Sequence, residues 1–216
     1  MNTISLDATE EKKWYDLALI LGIFTIAYNL TEGIIATWFG FEDETLALFG
    51  FGADSFIEMI SGIGIVSMVL RIKKNPHSNR SEFERTALRI TGYSFYALVV
   101  GLVISSLLVI YLGKKPETTF WGVVVSIISI VVMLVLIYGK IKTGKKLQSD
   151  AILADANCTK VCIYMSIVLL VSSVIYEYTG FAYADALGTL GLAWFSYKEG
   201  KECFEKAANK HCGCDH

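Results

Sequence analysis

The chain alternates long apolar stretches with short polar ones. Six apolar stretches stand out: Leu17 to Phe39, Leu46 to Leu70, Ala87 to Leu112, Phe120 to Ile141, Ile152 to Tyr176 and Phe181 to Phe204. Each reaches the roughly 20 residues that an α-helix needs to cross the hydrocarbon core of a bilayer. The two prolines, Pro76 and Pro116, fall between these stretches and leave the predicted helices without proline kinks. The pattern predicts an all-α integral membrane protein, a bundle of six transmembrane helices.

Composition adds little to this. Apolar residues make up 54% of the chain, and a soluble domain would be apolar in about half its residues. The clustering decides the class. The amino terminus, MNTISLDATEEKKWYD, is acidic and polar and lacks a small-residue cleavage site, so no secretory signal is expected. Arg71, Lys73, Lys74, Arg80 and Arg85 crowd the connection between helices two and three, and Lys140, Lys142, Lys145 and Lys146 crowd that between four and five. The loops after helices one and five, GFEDET and EYTG, contain no basic residue. The positive-inside rule then places both termini in the cytoplasm of a plasma or inner membrane; Lys114 and Lys115 run weakly against it. All five cysteines fall at membrane depth or on that cytoplasmic side, which favours thiols or metal ligands over disulfides.

Three segments follow: a cytoplasmic stretch over 1–13, a six-helix unit over 14–205 and a short Cys/His-rich cytoplasmic tail over 206–216. RIKKNPHSNRSEFER reads as the longest loop. The residues after helix six are too few for a further cytoplasmic domain, which needs at least about 50.

The polar residues inside the apolar stretches carry the chemistry. In helix two, Asp54 and Glu58 stand four apart and share one helical face. An acidic group near the bilayer centre costs about 2.5–3.5 kcal/mol on insertion scales, so two on one face call for a cation or protons between them. Lys160 is the single basic residue read at membrane depth, enough for one carboxylate and not for the set. In helix five, ADANCTKVC places Asp155, Cys158 and Cys162 along one stripe at i, i+3 and i+7. One cysteine in an apolar helix is usually inert. Two beside an aspartate make, with Asp54 and Glu58, a carboxylate and thiolate set suited to a tetrahedral divalent transition metal. Asn29 and Glu32, one turn apart in helix one, line the path, support a ligand or bond locally near the outer interface. Asp185 suits the N-terminus of helix six. Tyr93, Tyr96, Tyr111, Trp121, Tyr176 and Tyr178 read as an aromatic belt near helix ends. The tail HCGCDH offers His211, Cys212, Cys214 and His216 for metal capture.

These motifs together resemble the cation diffusion facilitators. FGFGADSFIEMISG looks like the helix-two motif of that family, with Asp54 and Glu58 at its ligand positions. ILADANCTKVCIYMS looks like its helix-five motif, with Cys158 where many members have His, Cys162 where they have Asp, and Asp155 at the preceding acidic position. The resemblance implies a transporter that exports zinc- or cadmium-like divalent ions from the cytoplasm in exchange for protons. Asp54, Glu58, Cys158 and Cys162 would hold the ion, and Asp155, with Asn29 and Glu32, would tune the site or relay protons. It also implies a homodimer, although the domain that dimerises typical members is not expected here. A membrane metal binder that senses or hands on ions without transporting them is the rival reading. No His-rich cluster, Ser-His pairing or phosphate-binding loop points to an enzyme, and no cofactor beyond the transported ion and no nucleic-acid partner is expected.

Overall fold

The computed structural model describes residues 8–42, 46–74, 80–112, 120–179 and 184–208. They form six helices: α1 (Ala8–Glu42), α2 (Leu46–Lys74), α3 (Arg80–Leu112), α4 (Phe120–Leu147), α5 (Asp150–Thr179) and α6 (Ala184–Ala207). By length and composition, five of them are able to cross a membrane, α1 to α5. The described part of α6 is more polar, with Lys198, Glu199, Lys201, Glu202, Glu205 and Lys206 in its second half.

The helices outrun the apolar stretches that predict them. An apolar stretch measures hydrocarbon depth, whereas a helix continues wherever its ends are favoured. Glu10 and Glu11 lie in the first turn of α1, and Arg71, Lys73 and Lys74 in the last turn of α2, each complementing the helix dipole. The expected long loop RIKKNPHSNRSEFER is accordingly mostly helical: α2 runs to Lys74 and α3 begins at Arg80. Lys73 bonds to Asp16 and Lys142 lies over the Trp14 ring at 5.8 Å, tying α2 and α4 to α1 at the basic end of the bundle.

Packing divides the helices into two groups. α1 lies against α2, α2 against α5, α5 against α4 and α4 against α1, closing a four-helix ring. α3 pairs with α6, and the pair leans on α2 and α5. The α1–α2 contact is close because glycines meet there. A Cβ on Gly52 would stand 2.7 Å from the Thr37 nitrogen and 3.0 Å from the Gly33 carbonyl oxygen, the small-residue approach that packs helices in lipid. Ile20, Trp38, Val135 and Tyr138 point outward from the ring, as a lipid-facing surface requires.

A tight turn joins α4 to α5. Gln148 takes a left-handed φ of 49°. Its N–H donates to the Lys145 carbonyl at 3.4 Å, and that of Ser149 to the Gly144 carbonyl at 3.0 Å, the paired bonds of a Schellman cap. The Ser149 hydroxyl then caps α5, accepting the Ile152 N–H at 3.3 Å. This turn folds α4 back along α5 and sets which of their side chains face each other.

Candidate functional site

Each ring helix buries a stripe at helical spacing, and polar groups interrupt all four stripes at one depth. α1 buries Thr25, Asn29 and Glu32; α2 buries Asp54, Ser55, Glu58 and Ser61; α4 buries Lys140; α5 buries Asp155, Cys158, Thr159 and Cys162. α2 and α5 pack against each other, and their polar groups meet in three successive layers.

In the first layer the Cys162 thiol donates to Asp54 Oδ2 at 2.7 Å. One turn deeper, the Thr159 hydroxyl donates to Glu58 Oε1, and Lys140 Nζ lies 3.6 Å from that same oxygen. In the third layer Asp155 receives Lys140 Nζ at 2.8 Å on Oδ2 and the Ser61 hydroxyl at 2.7 Å on Oδ1. Ser61 pairs in turn with Thr91 of α3 at 3.0 Å. Beside these layers Glu32 accepts the Tyr28 hydroxyl and the Ser55 hydroxyl, each at 2.9 Å. Asn29 donates to the Thr25 carbonyl at 3.0 Å, and its Oδ1 has no hydrogen-bond partner although the residue is fully buried.

Lys140 corrects the sequence reading. It does not belong to the basic loop with Lys142, Lys145 and Lys146. It is the third-largest of the fully enclosed side chains, 2% exposed, with its ammonium among the carboxylates. Nor is Lys160 the cation at membrane depth: it turns the other way, donating to Asn157 at 3.2 Å, while Asn157 donates to Glu199 of α6 at 2.7 Å. Glu32 is buried in the ring and bonds to Tyr28, one turn away. Tyr93 and Tyr96 both pack against Phe204, near the charged end of α6.

The expected ligands are therefore neighbours without forming a closed cage. Asp54 meets Cys162 directly, and Glu58 sits one turn away with Thr159 and Lys140 between it and Asp155. Cys158 is buried in the main apolar cluster with Phe95, Leu98 and Val161. Among the described residues, no three His, Cys, Asp or Glu side chains converge closely enough to hold a metal ion between them. His211, Cys212, Cys214 and His216 lie outside the described residues, as does the side chain of Asp185.

A cavity reaches the first of these layers. It measures about 70 Å³, touches Asp54 and is lined by Gly50, Gly101, Ser105, Met165 and Thr189, all in the halves of their helices remote from the basic end. Toward the basic end, Tyr15, Ala18, Met68, Val69, Ala151 and Ile152 belong to the main apolar cluster.

The family model of the cation efflux transmembrane domain matches residues 23–209, which take in all the polar layers just described. The chain belongs to the cation efflux family. Among relatives, it is 28% identical over 182 residues to an uncharacterized transporter of Methanocaldococcus jannaschii. That match covers 79% of this chain and 62% of the relative, so the chain spans about three fifths of the protein it resembles. The chain is thus a multi-pass membrane protein of a transporter family.

Two residues of the polar core escape a reading by ligand type. Thr159 bridges Lys140 and Glu58, and nothing in its spacing separates it from any helical threonine. Lys140 did leave a signal. Ser126, Ser129, Met133, Leu136, Lys140, Thr143 and Leu147 form one buried i, i+3, i+7 stripe along α4, and its register was visible in the sequence.

Proposed function

We propose that this protein exports a zinc- or cadmium-like divalent ion from the cytoplasm in exchange for protons, with both termini cytoplasmic. One observation carries the reading: among the described residues, the ring buries four carboxylates, Glu32, Asp54, Glu58 and Asp155, with a single ammonium, that of Lys140, which reaches Glu58 and Asp155. Lys140 offsets one negative charge. The rest must be neutralised by protons or by a cation, because an unpaired intramembrane charge is costly. A site that alternates between protons and a divalent ion satisfies that requirement in both halves of a transport cycle.

Asp54, Glu58, Cys158 and Cys162 are the ligands in this reading. Two carboxylates and two sulfurs match zinc and cadmium better than manganese or magnesium. Closing them on an ion requires the Cys162 thiol to release Asp54 and Lys140 to move away from Glu58. Asp155 remains as the partner of Lys140, and Glu32, held by Tyr28 and Ser55, is the proton-accepting group nearest the ring exterior. The cavity beside Asp54 supplies the outward route. A homodimer within the membrane and metal capture by His211, Cys212, Cys214 and His216 complete the proposal.

Flux into inverted vesicles tests it. Cadmium and zinc should accumulate when the vesicle interior is acidic, and accumulation should collapse when the proton gradient is dissipated. Saturable cadmium binding without any flux would establish the rival reading, a membrane metal binder that hands ions to a partner.

A further inference from the structure

We propose that Lys140 is a tethered counter-ion that competes with the metal for Glu58, and so determines how tightly the site binds and how readily it releases. The inference rests on the transport reading above and adds to it a residue that is not a ligand.

The geometry supports a competing cation. Lys140 Nζ has three oxygens around it: Thr159 Oγ1 at 2.7 Å, Asp155 Oδ2 at 2.8 Å and Glu58 Oε1 at 3.6 Å. An ammonium offers three donors, so this environment matches its capacity. It is also a set of oxygen ligands that any cation would accept. The grip is unequal. Asp155 is held at hydrogen-bond distance, whereas Glu58 is held at a longer distance and shares Thr159 with the lysine. Among the described residues, Glu58 Oε2 has no hydrogen-bond partner in spite of complete burial. One oxygen of Glu58 is thus covered by protein donors and the other is available.

That inequality gives the lysine somewhere to go. When an ion takes Glu58, Lys140 retains Asp155, and neither charge is stranded. Its four-carbon stem allows the small movement required, which a planar guanidinium would resist. Returning to Glu58 then helps expel the ion. Two carboxylates for one lysine is the arrangement such a hand-over needs; a lysine present only to stabilise the fold would need one.

Cadmium binding to the full-length protein in detergent tests this. Lys140→Met should bind cadmium on the order of tenfold or more tighter, since a like charge is removed from beside the ligand. Its flux into vesicles should be slower, because release loses the competitor. Lys140→Arg should bind no tighter than the parent. Should Lys140→Met fail to fold, Lys140→Met combined with Asp155→Asn removes one charge of each sign and still frees Glu58, so it too should bind more tightly. A folded variant with equal or weaker cadmium affinity, or a double variant indistinguishable from the parent, overturns the role. If the parent itself binds no cadmium, the transport reading fails first and this inference falls with it.

Discussion

The ring and the flanking pair solve the same packing problem with different means. α1, α2, α4 and α5 hold all four carboxylates of the polar core and its lysine, each engaged by a donor on a neighbouring helix. α3 and α6 hold each other through rings: Tyr93 edge-on to Phe204 at 4.9 Å, Tyr96 against Phe204 at 5.3 Å and against Tyr197 at 5.9 Å. In lipid there is no hydrophobic drive between helices, so association rests on close packing and interhelical hydrogen bonds. The flank uses the first means. The ring adds the second, and its hydrogen bonds end on ionisable groups, which a cation bound at the proposed site would displace. The ring is therefore built to rearrange and the flank to stay still.

The largest effect should separate function from packing. Asp54→Asn or Glu58→Gln removes a charge that the ion requires, and cadmium flux should fall by more than about 100-fold, beyond the 10–100-fold typical of residues that merely support ligands. Phe204→Leu in the flank should leave flux within about twofold of the parent at matched expression. A flank variant as inactive as the ring variants would show that α3 and α6 take part in the cycle and that the division is false.

Much of this division was legible before any coordinates. Spacing alone puts Asp54 and Glu58 on one face of α2 and Cys158 and Cys162 along one stripe of α5; that these faces meet is seen only in the packing of α2 against α5. Lys140 was not read correctly because charge counting treated four lysines near one helix end as a single group. Loop lysines and a stripe lysine have the same composition and differ in phase. The Cys162 to Asp54 contact and the Thr159 bridge were not legible, because they depend on the axial offset of α2 against α5. No ligand motif encodes that offset.

The next effect compares how the two groups approach. In the ring, a Cβ at Gly52 would meet backbone atoms of α1, the Thr37 nitrogen at 2.7 Å among them. In the flank, a Cβ at Gly200 would meet the Tyr96 ring at 2.8 Å, a side chain able to turn aside. Gly52→Ala should therefore destabilise by about 1–3 kcal/mol, as overpacking does. Gly200→Ala should cost less, about 1 kcal/mol or below. Unfolding midpoints in detergent give the ranking, and a reversed order would place the tighter interface in the flank.

A smaller effect concerns the two cysteines, which differ although the sequence treats them alike. Cys162 already touches Asp54, whereas Cys158 lies in the apolar cluster. Cys162→Ser keeps a donor for Asp54 but replaces sulfur by oxygen. The preference for cadmium over manganese should drop by roughly tenfold, the direction in which ligand softness acts. Cys158→Ser should shift it the same way and also destabilise, because a hydroxyl is placed among Phe95, Leu98 and Val161. An unchanged preference in both would remove the sulfurs from the site.

The smallest effect tests what holds the ring in register. α3 and α6 are far apart in the chain and find their register by ring packing, but α4 and α5 are joined by two residues, Gln148 and Ser149. Lys140 faces Thr159 and Asp155 only while that turn keeps its form. Gln148 adopts a φ of 49°, where an L-residue with a Cβ loses about 1–2 kcal/mol. Glycine there escapes the clash but gives up about 0.5–1 kcal/mol of unfolded-state entropy. Gln148→Gly should therefore stabilise the protein by roughly 0.5–1 kcal/mol, seen as a modest rise in unfolding midpoint, with cadmium preference unchanged. Gln148→Val, which fits that φ worst, should lower the midpoint and weaken cadmium flux together, since a displaced turn carries Lys140 out of line with α5. If valine lowers the midpoint and leaves flux intact, the register of the polar core is held by its own hydrogen bonds and the turn merely follows.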